Sequence, residues 1–118
     1  MKQIIPPNYL EAIPCIITAV LCATMTLNIK PPDKLPEMRS NGYTRLDEGN
    51  RYIRKHLPIQ QRYEYRRGQR PLLKDIHIDK KAIVCVKGHY LFVDNEEYYS
   101  FFNNENDEVI SMWIIKES

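Results

Sequence analysis

The stretch AIVCVKGHYLFVDNEEYYSFFNN, residues 82–104, decides the fold. Three runs rich in β-branched and aromatic residues, AIVCVK, HYLFVD and YYSFF, are parted by Gly88 and by the turn formers Asp94 and Asn95. Such residues suit a pleated, half-buried surface, and such breaks suit tight turns. A fourth run, VISMWII at 109–115, follows the polar segment Asn103 to Asp107. The C-terminal half therefore reads as an antiparallel meander in chain order.

Upstream the pattern turns helical. CIITAVLCATMTL, residues 15–27, is apolar nearly all round, which marks a central buried helix running from Pro14-Cys15 to about Asn28. It is too short to span a bilayer, and Pro6, Pro7, Glu11 and Pro14 interrupt its approach, so neither a leader nor an anchor is expected. Residues 30–42 form a proline-punctuated loop. Thr44 with Asp47 resembles a capping box opening a second helix over RLDEGNRYIRKHL, which Pro58 closes and which carries Leu46, Tyr52, Ile53 and Leu57 on its apolar side. RYEYRR, residues 62–67, reads as a short edge strand, and PLLKDI as two helical turns at most. Helices first and strands last imply one α+β domain over residues 1–118, with a buried N-terminal helix and a second helix packed on the meander.

Composition narrows the functional classes. The chain is 43% hydrophobic and 27% charged, an ordinary globular balance that favours a cytoplasmic, membrane-free protein. Three cysteines without a CxxC pair argue against a disulfide framework and for a reducing compartment. Cysteines and histidines are scattered without zinc-ligand spacing, so no metal and no organic cofactor is expected. Charge is segregated: residues 45–74 carry a net +6 and residues 75–118 a net −5. Within residues 54–70, Arg62, Arg66, Arg67 and Arg70 stand among Tyr63 and Tyr65, offering cations for phosphates and rings for stacking to an acidic or nucleic-acid partner. A plain solvated basic edge carries the same pattern.

The chemistry concentrates on Cys15 and His89. A thiol nucleophile needs a stabilised thiolate, an imidazole in reach and a group that orients the ring. Cys15 stands in the first helical turn, where the helix dipole is expected to depress its pKa, whereas Cys22 lies mid-helix and Cys85 inside an apolar strand. His89 follows Gly88 at the head of a strand, and packing the helix on the sheet is expected to bring thiol and imidazole within hydrogen-bond reach. His56 and His77 fit less well. The orienting group depends on the hairpin after Asp94. A three-residue loop at 95–97 pairs His89 with Asn103, a two-residue turn at 96–97 gives Asn104, and one at 94–95 gives Ser100. Asp94 has the wrong parity. Asn103 is the first choice and Asn104 the second.

The segments PCIITAV, GHYLFVD and the asparagines at 103–104, in the order Cys, His, Asn, resemble the papain-like cysteine peptidases, and most closely their small bacteriophage and C39-like members. The resemblance covers most of the chain. It implies a papain-like core and a thiol hydrolase that cleaves a peptide or isopeptide bond of a peptide or protein substrate through Cys15, His89 and Asn103. Where such enzymes carry a glutamine just before the cysteine as oxyanion donor, this chain offers Asn8 and the backbone N–H of Cys15, since an ionised Glu11 cannot donate. That departure leaves a second expectation, a catalytically retired papain-like fold that binds a host factor or nucleic acid.

Overall fold

Helix α1 spans Cys15–Leu27, and backbone chemistry explains both ends. Pro14 has no N–H to leave unpaired, and its carbonyl accepts from Ile17 and Thr18 at 3.0 and 3.1 Å. Asn28 closes the helix in the left-handed region at φ 56°, which asparagine tolerates better than most residues. Ile16, Ile17, Ala19, Val20 and Ala23 are buried along it. Its threonines stay inside because Thr18 donates to the carbonyl of Leu10 at 3.3 Å and Thr24 to that of Leu21 at 3.0 Å. The computed structural model describes residues 1–33 and 46–117; the capping threonine expected at Thr44 lies outside them. Helix α2, Leu46–His56, buries Tyr52 and Ile53 along its length and Leu57 just beyond its end.

The strands are β1 (Lys2–Ile4), β2 (Ile59–Glu64), β3 (Lys81–Val86), β4 (His89–Asp94), β5 (Glu97–Tyr99) and β6 (Val109–Ile115), in the sheet order β1-β5-β4-β3-β6-β2. Every pairing is antiparallel except that of β1 with β5. The architecture is thus α+β, but the sheet is mixed and is not the simple meander expected. β6 crosses back to pair with β3 rather than with β5. It carries Trp113 for one core and Met112 for the other, so it needs strand neighbours and cover on both faces, which the place between β3 and β2 supplies. Edge strand β2 begins three residues before the expected RYEYRR run.

Two apolar layers sandwich the sheet. On the α1 side lie Ile83, Cys85, Tyr90, Phe92, Trp113 and Ile115, together with the buried faces of both helices. On the far side Val84, Val86, Leu91, Val93 and Tyr98 are covered by Leu73 and Ile78 of the segment before β3. Burial on both faces is why β3 and β4 read as continuous apolar runs instead of alternating ones.

The β4–β5 hairpin corrects the expected three-residue loop. Asp94 pairs with Glu97, leaving a two-residue turn at Asn95 and Glu96 with φ of 47° and 67°. A left-handed glutamate costs about 1 kcal/mol. Glu96 offsets this by accepting the Ile78 N–H on its side chain at 2.6 Å and by donating its own N–H to the Ile78 carbonyl at 2.8 Å.

Gly49 on α2 is a point of close approach. A Cβ there would lie 2.6 Å from the Tyr90 hydroxyl and 3.0 Å from Ile16 Cδ1. Alanine in a helix ordinarily gains up to about 1 kcal/mol over glycine, but overpacking a rigid ring costs about 1–3 kcal/mol. Gly49→Ala is therefore expected to lower the urea midpoint of unfolding; an unchanged or raised midpoint contradicts this packing.

Candidate active site

A cavity of about 450 Å³ opens at the end of the sheet where the start of α1, the β3–β4 hairpin and the chain after β5 converge. Cys15 and His89 both line it, as do Cys85, Tyr90 and Ser100. Each is placed by a local feature. Cys15 is the first residue of α1, and the β3–β4 turn is closed by Gly88 at φ 72°, a left-handed position that suits glycine, which sets His89 at the first residue of β4.

Cys15 and His89 both line the cavity, but their side chains do not bond to each other. The Cys15 sulfur accepts the backbone N–H of Tyr90 at 3.4 Å, and His89 Nε2 lies 3.3 Å from Ser100 Oγ. Strand parity explains the separation. Cys85 pairs with Tyr90 on the α1 side, while Val86 pairs with His89, so the ring leaves the strand away from the face that α1 covers. The thiol meets the peptide joining the two residues.

The expected orienting amide is replaced by a chain of groups. Asn103 is exposed and accepts from the Glu105 N–H at 3.1 Å and the Tyr98 hydroxyl at 3.5 Å; it does not bond to the ring. Asn104 is buried and reaches His89 at one remove. Its Nδ2 donates to Asp107 Oδ2 at 2.7 Å, and its Oδ1 accepts the Ser100 hydroxyl proton at 2.5 Å. A carboxylate only accepts, so Asp107 dictates which end of the amide faces it. Ser100, its proton committed to Asn104, can only accept from its other neighbours, the Phe102 N–H at 3.1 Å and His89 Nε2 at 3.3 Å. Proton counting thus puts a hydrogen on Nε2 and leaves Nδ1 with the lone pair. The two-residue turn makes the chain shorter than the asparagine hypothesis allowed, and it brings in Asp107 from the loop before β6, which hairpin geometry alone does not locate.

Burial governs both titrations. It pushes the Cys15 thiol above its ordinary 9.0, and the N–H groups of Tyr90, Ile16 and Cys15 itself recover only part of that rise. The expected depression by the helix terminus is overruled because desolvation penalises the thiolate more than these donors stabilise it. Cys22 and Cys85 are pushed further, up to about 11. Burial likewise lowers His89 below 6.5, with the Asp107 charge opposing it in part. The resting pair is a neutral thiol and a neutral imidazole.

Set against family models, curated proteins and solved structures, the chain matches none of them. Among the described residues no helix is long and apolar enough to cross a membrane, and no three metal-ligating side chains converge.

The remaining sequence candidates lie elsewhere. Asn8 sits exposed in a 3-10 turn, Asn8–Leu10, outside the cavity lining, so it supplies no oxyanion donor beside the thiol. Ile17 and Thr18 bond back to Pro14, which leaves the N–H groups of Cys15 and Ile16 free of backbone acceptors in the first turn, beside the Cys15 sulfur. In the basic segment, Arg62 stacks on Trp113 at 5.2 Å and pairs with Glu64 at 3.6 Å. Its register partner Trp113 belongs to the α1 side and that of Tyr63, Met112, to the far side, so the arginine and tyrosine of this strand point to opposite faces. Arg66 and Arg67 are exposed, and Arg70 is half-buried.

Iodoacetamide is expected to label Cys15 before Cys22 or Cys85, at a rate still climbing as the pH passes 9.0, because the thiolate forms only above that value. Peptide mapping against pH measures this; a Cys15 rate that levels off below pH 8 means a depressed thiol instead.

Proposed function

We propose that the protein is a thiol hydrolase of the papain-like type, acting on a peptide or isopeptide bond. The observation that carries this reading is the hydrogen-bonded chain Asp107–Asn104–Ser100–His89, which leaves Nδ1 as the basic nitrogen of a residue that lines the same cavity as Cys15. A buried serine and a buried asparagine committed to one imidazole are a costly arrangement for a merely structural histidine.

In the proposed cycle Cys15 Sγ attacks the carbonyl carbon while its proton passes to His89 Nδ1. The developing oxyanion takes hydrogen bonds from the free N–H groups of Cys15 and Ile16. The C–N bond then breaks, the imidazolium protonates the leaving amine, and water activated by the same ring releases the acyl group from sulfur. The ring's proton on Nε2 stays with Ser100 throughout. The thiol lies on the α1 side of the sheet and the ring leaves the end of the hairpin on the other, so in this cycle the proton passes between them by way of one water in the cavity. Three unpaired thiols accord with a working place in the reducing cytoplasm, of the host if the chain is bacteriophage-encoded.

A second reading, a retired fold that only binds, is favoured by the raised thiol and by the place of Asn8, the expected oxyanion donor, outside the cavity lining. Binding of an acidic or nucleic-acid partner then falls to Arg66 and Arg67, since Arg62 is engaged with Trp113.

p-Nitrophenyl acetate separates the two readings. The active protein releases a burst of nitrophenol and gains one acetyl group on Cys15 by intact mass and peptide mapping. His89→Ala is expected to slow acylation by about 10²–10⁴-fold. Ser100→Ala, which removes one orienting hydrogen bond, slows it roughly tenfold. In the wild-type protein the rate falls on acidification only below pH 6.5, since His89 is lowered and stays neutral above it. Acetylation of the wild type that is absent at Cys15, or equal in His89→Ala, leaves the binding reading.

A further inference from the structure

Apart from the two reacting side chains, the cavity wall is largely apolar, and one ionisable carboxylate, Glu11, stands on it. Glu11 is exposed on the chain leading into α1, with no ion pair or hydrogen bond from its side chain among the described residues. The lining holds no lysine or arginine, and His89 is kept neutral by burial, so nothing in the cavity cancels this charge. On the β5 side stand Tyr99, Phe101 and Phe102. Phe102 is 64% exposed, although its ring lies edge-to-face with His89 at 5.8 Å, close to the reaction centre. A large ring left open to water beside a reactive imidazole is a surface for a ligand.

A lone negative charge and aromatic rings that line one apolar hollow are the complement of a cation on an apolar stem. Carboxylate and ring faces both attract an ammonium, each modestly at an exposed position. We propose that Glu11 and Phe102 form a subsite for an ammonium group of the substrate, borne by a lysine side chain or by a free peptide N-terminus next to an apolar residue. The subsite rests on the reading of this cavity as a substrate site, and it adds the class of substrate the hydrolase selects.

Binding tests it without turnover. The Cys15→Ala protein, which cannot be acylated, is titrated by NMR with two matched pairs: Nα-acetyl-lysine N-methylamide against its norleucine analogue, and phenylalanine amide against N-acetyl-phenylalanine amide. At least one ammonium-bearing probe is expected to bind about tenfold more tightly than its neutral match, with shifts at Glu11 and Phe102, and the pair that discriminates identifies the source of the ammonium. Glu11→Gln in the same background is expected to erase the difference while the neutral probes bind as before. Equal binding within both pairs, or discrimination that survives Glu11→Gln, overturns the subsite. Discrimination present while wild-type Cys15 takes no acetyl group from p-nitrophenyl acetate sinks the hydrolase and leaves the subsite standing.

Discussion

Tyr90 is the joint on which the rest of the molecule hangs. Its backbone N–H holds the Cys15 sulfur across 75 residues of sequence, and its ring lies tilted against Trp113 at 6.3 Å. Its hydroxyl end lies under Gly49, where α2 comes so close that no side chain fits. One residue thus gathers α1, α2 and the central strands. Because His89 immediately precedes it, the same joint sets where the imidazole stands relative to the thiol.

Burial then decides the chemical state of the site. Positioning Cys15 at a helix start brings its own N–H and that of Ile16 to the sulfur, and Tyr90 of β4 adds a third, but the apolar surroundings that hold the helix there also strip the thiolate of water. Desolvation wins, and it lowers His89 for the same reason. A site of this kind does not store a thiolate in advance. It holds two neutral groups, so the proposed hydrolase would have to transfer the proton during attack, and that reading makes the tautomer of His89 important.

That tautomer is enforced from outside the hairpin. Ser100 and Asn104 are 3% and 5% exposed, a depth at which an unpaired hydroxyl or amide costs about 1–3 kcal/mol. Each finds a partner only if the protons run in one direction, and Asp107, bringing acceptors alone, fixes that direction. Hairpin geometry with a three-residue loop led to an asparagine touching the ring directly. Here the amide acts through Ser100, because a two-residue turn at Asn95-Glu96 sets β5 one residue off from the register that pairs His89 with Asn103.

By itself the sequence determined the local elements. The run from Cys15 to Leu27 can only be a buried helix, Pro14 starts it, the apolar runs of β3, β4 and β6 can only be strands, and the exceptional positions of Cys15 and His89 follow from these. All of this rests on contacts between near neighbours in the chain. Tertiary structure decided what depends on partners far apart: that β6 lies against β3, that β1 adds a parallel edge, that a left-handed Glu96 is held in place by Ile78, and that Asp107 closes a chain of protons begun at His89. The shift of the thiol likewise belongs to the fold, since a helix terminus can be seen in a run of letters but the loss of water around a sulfur is set by every element packed against it.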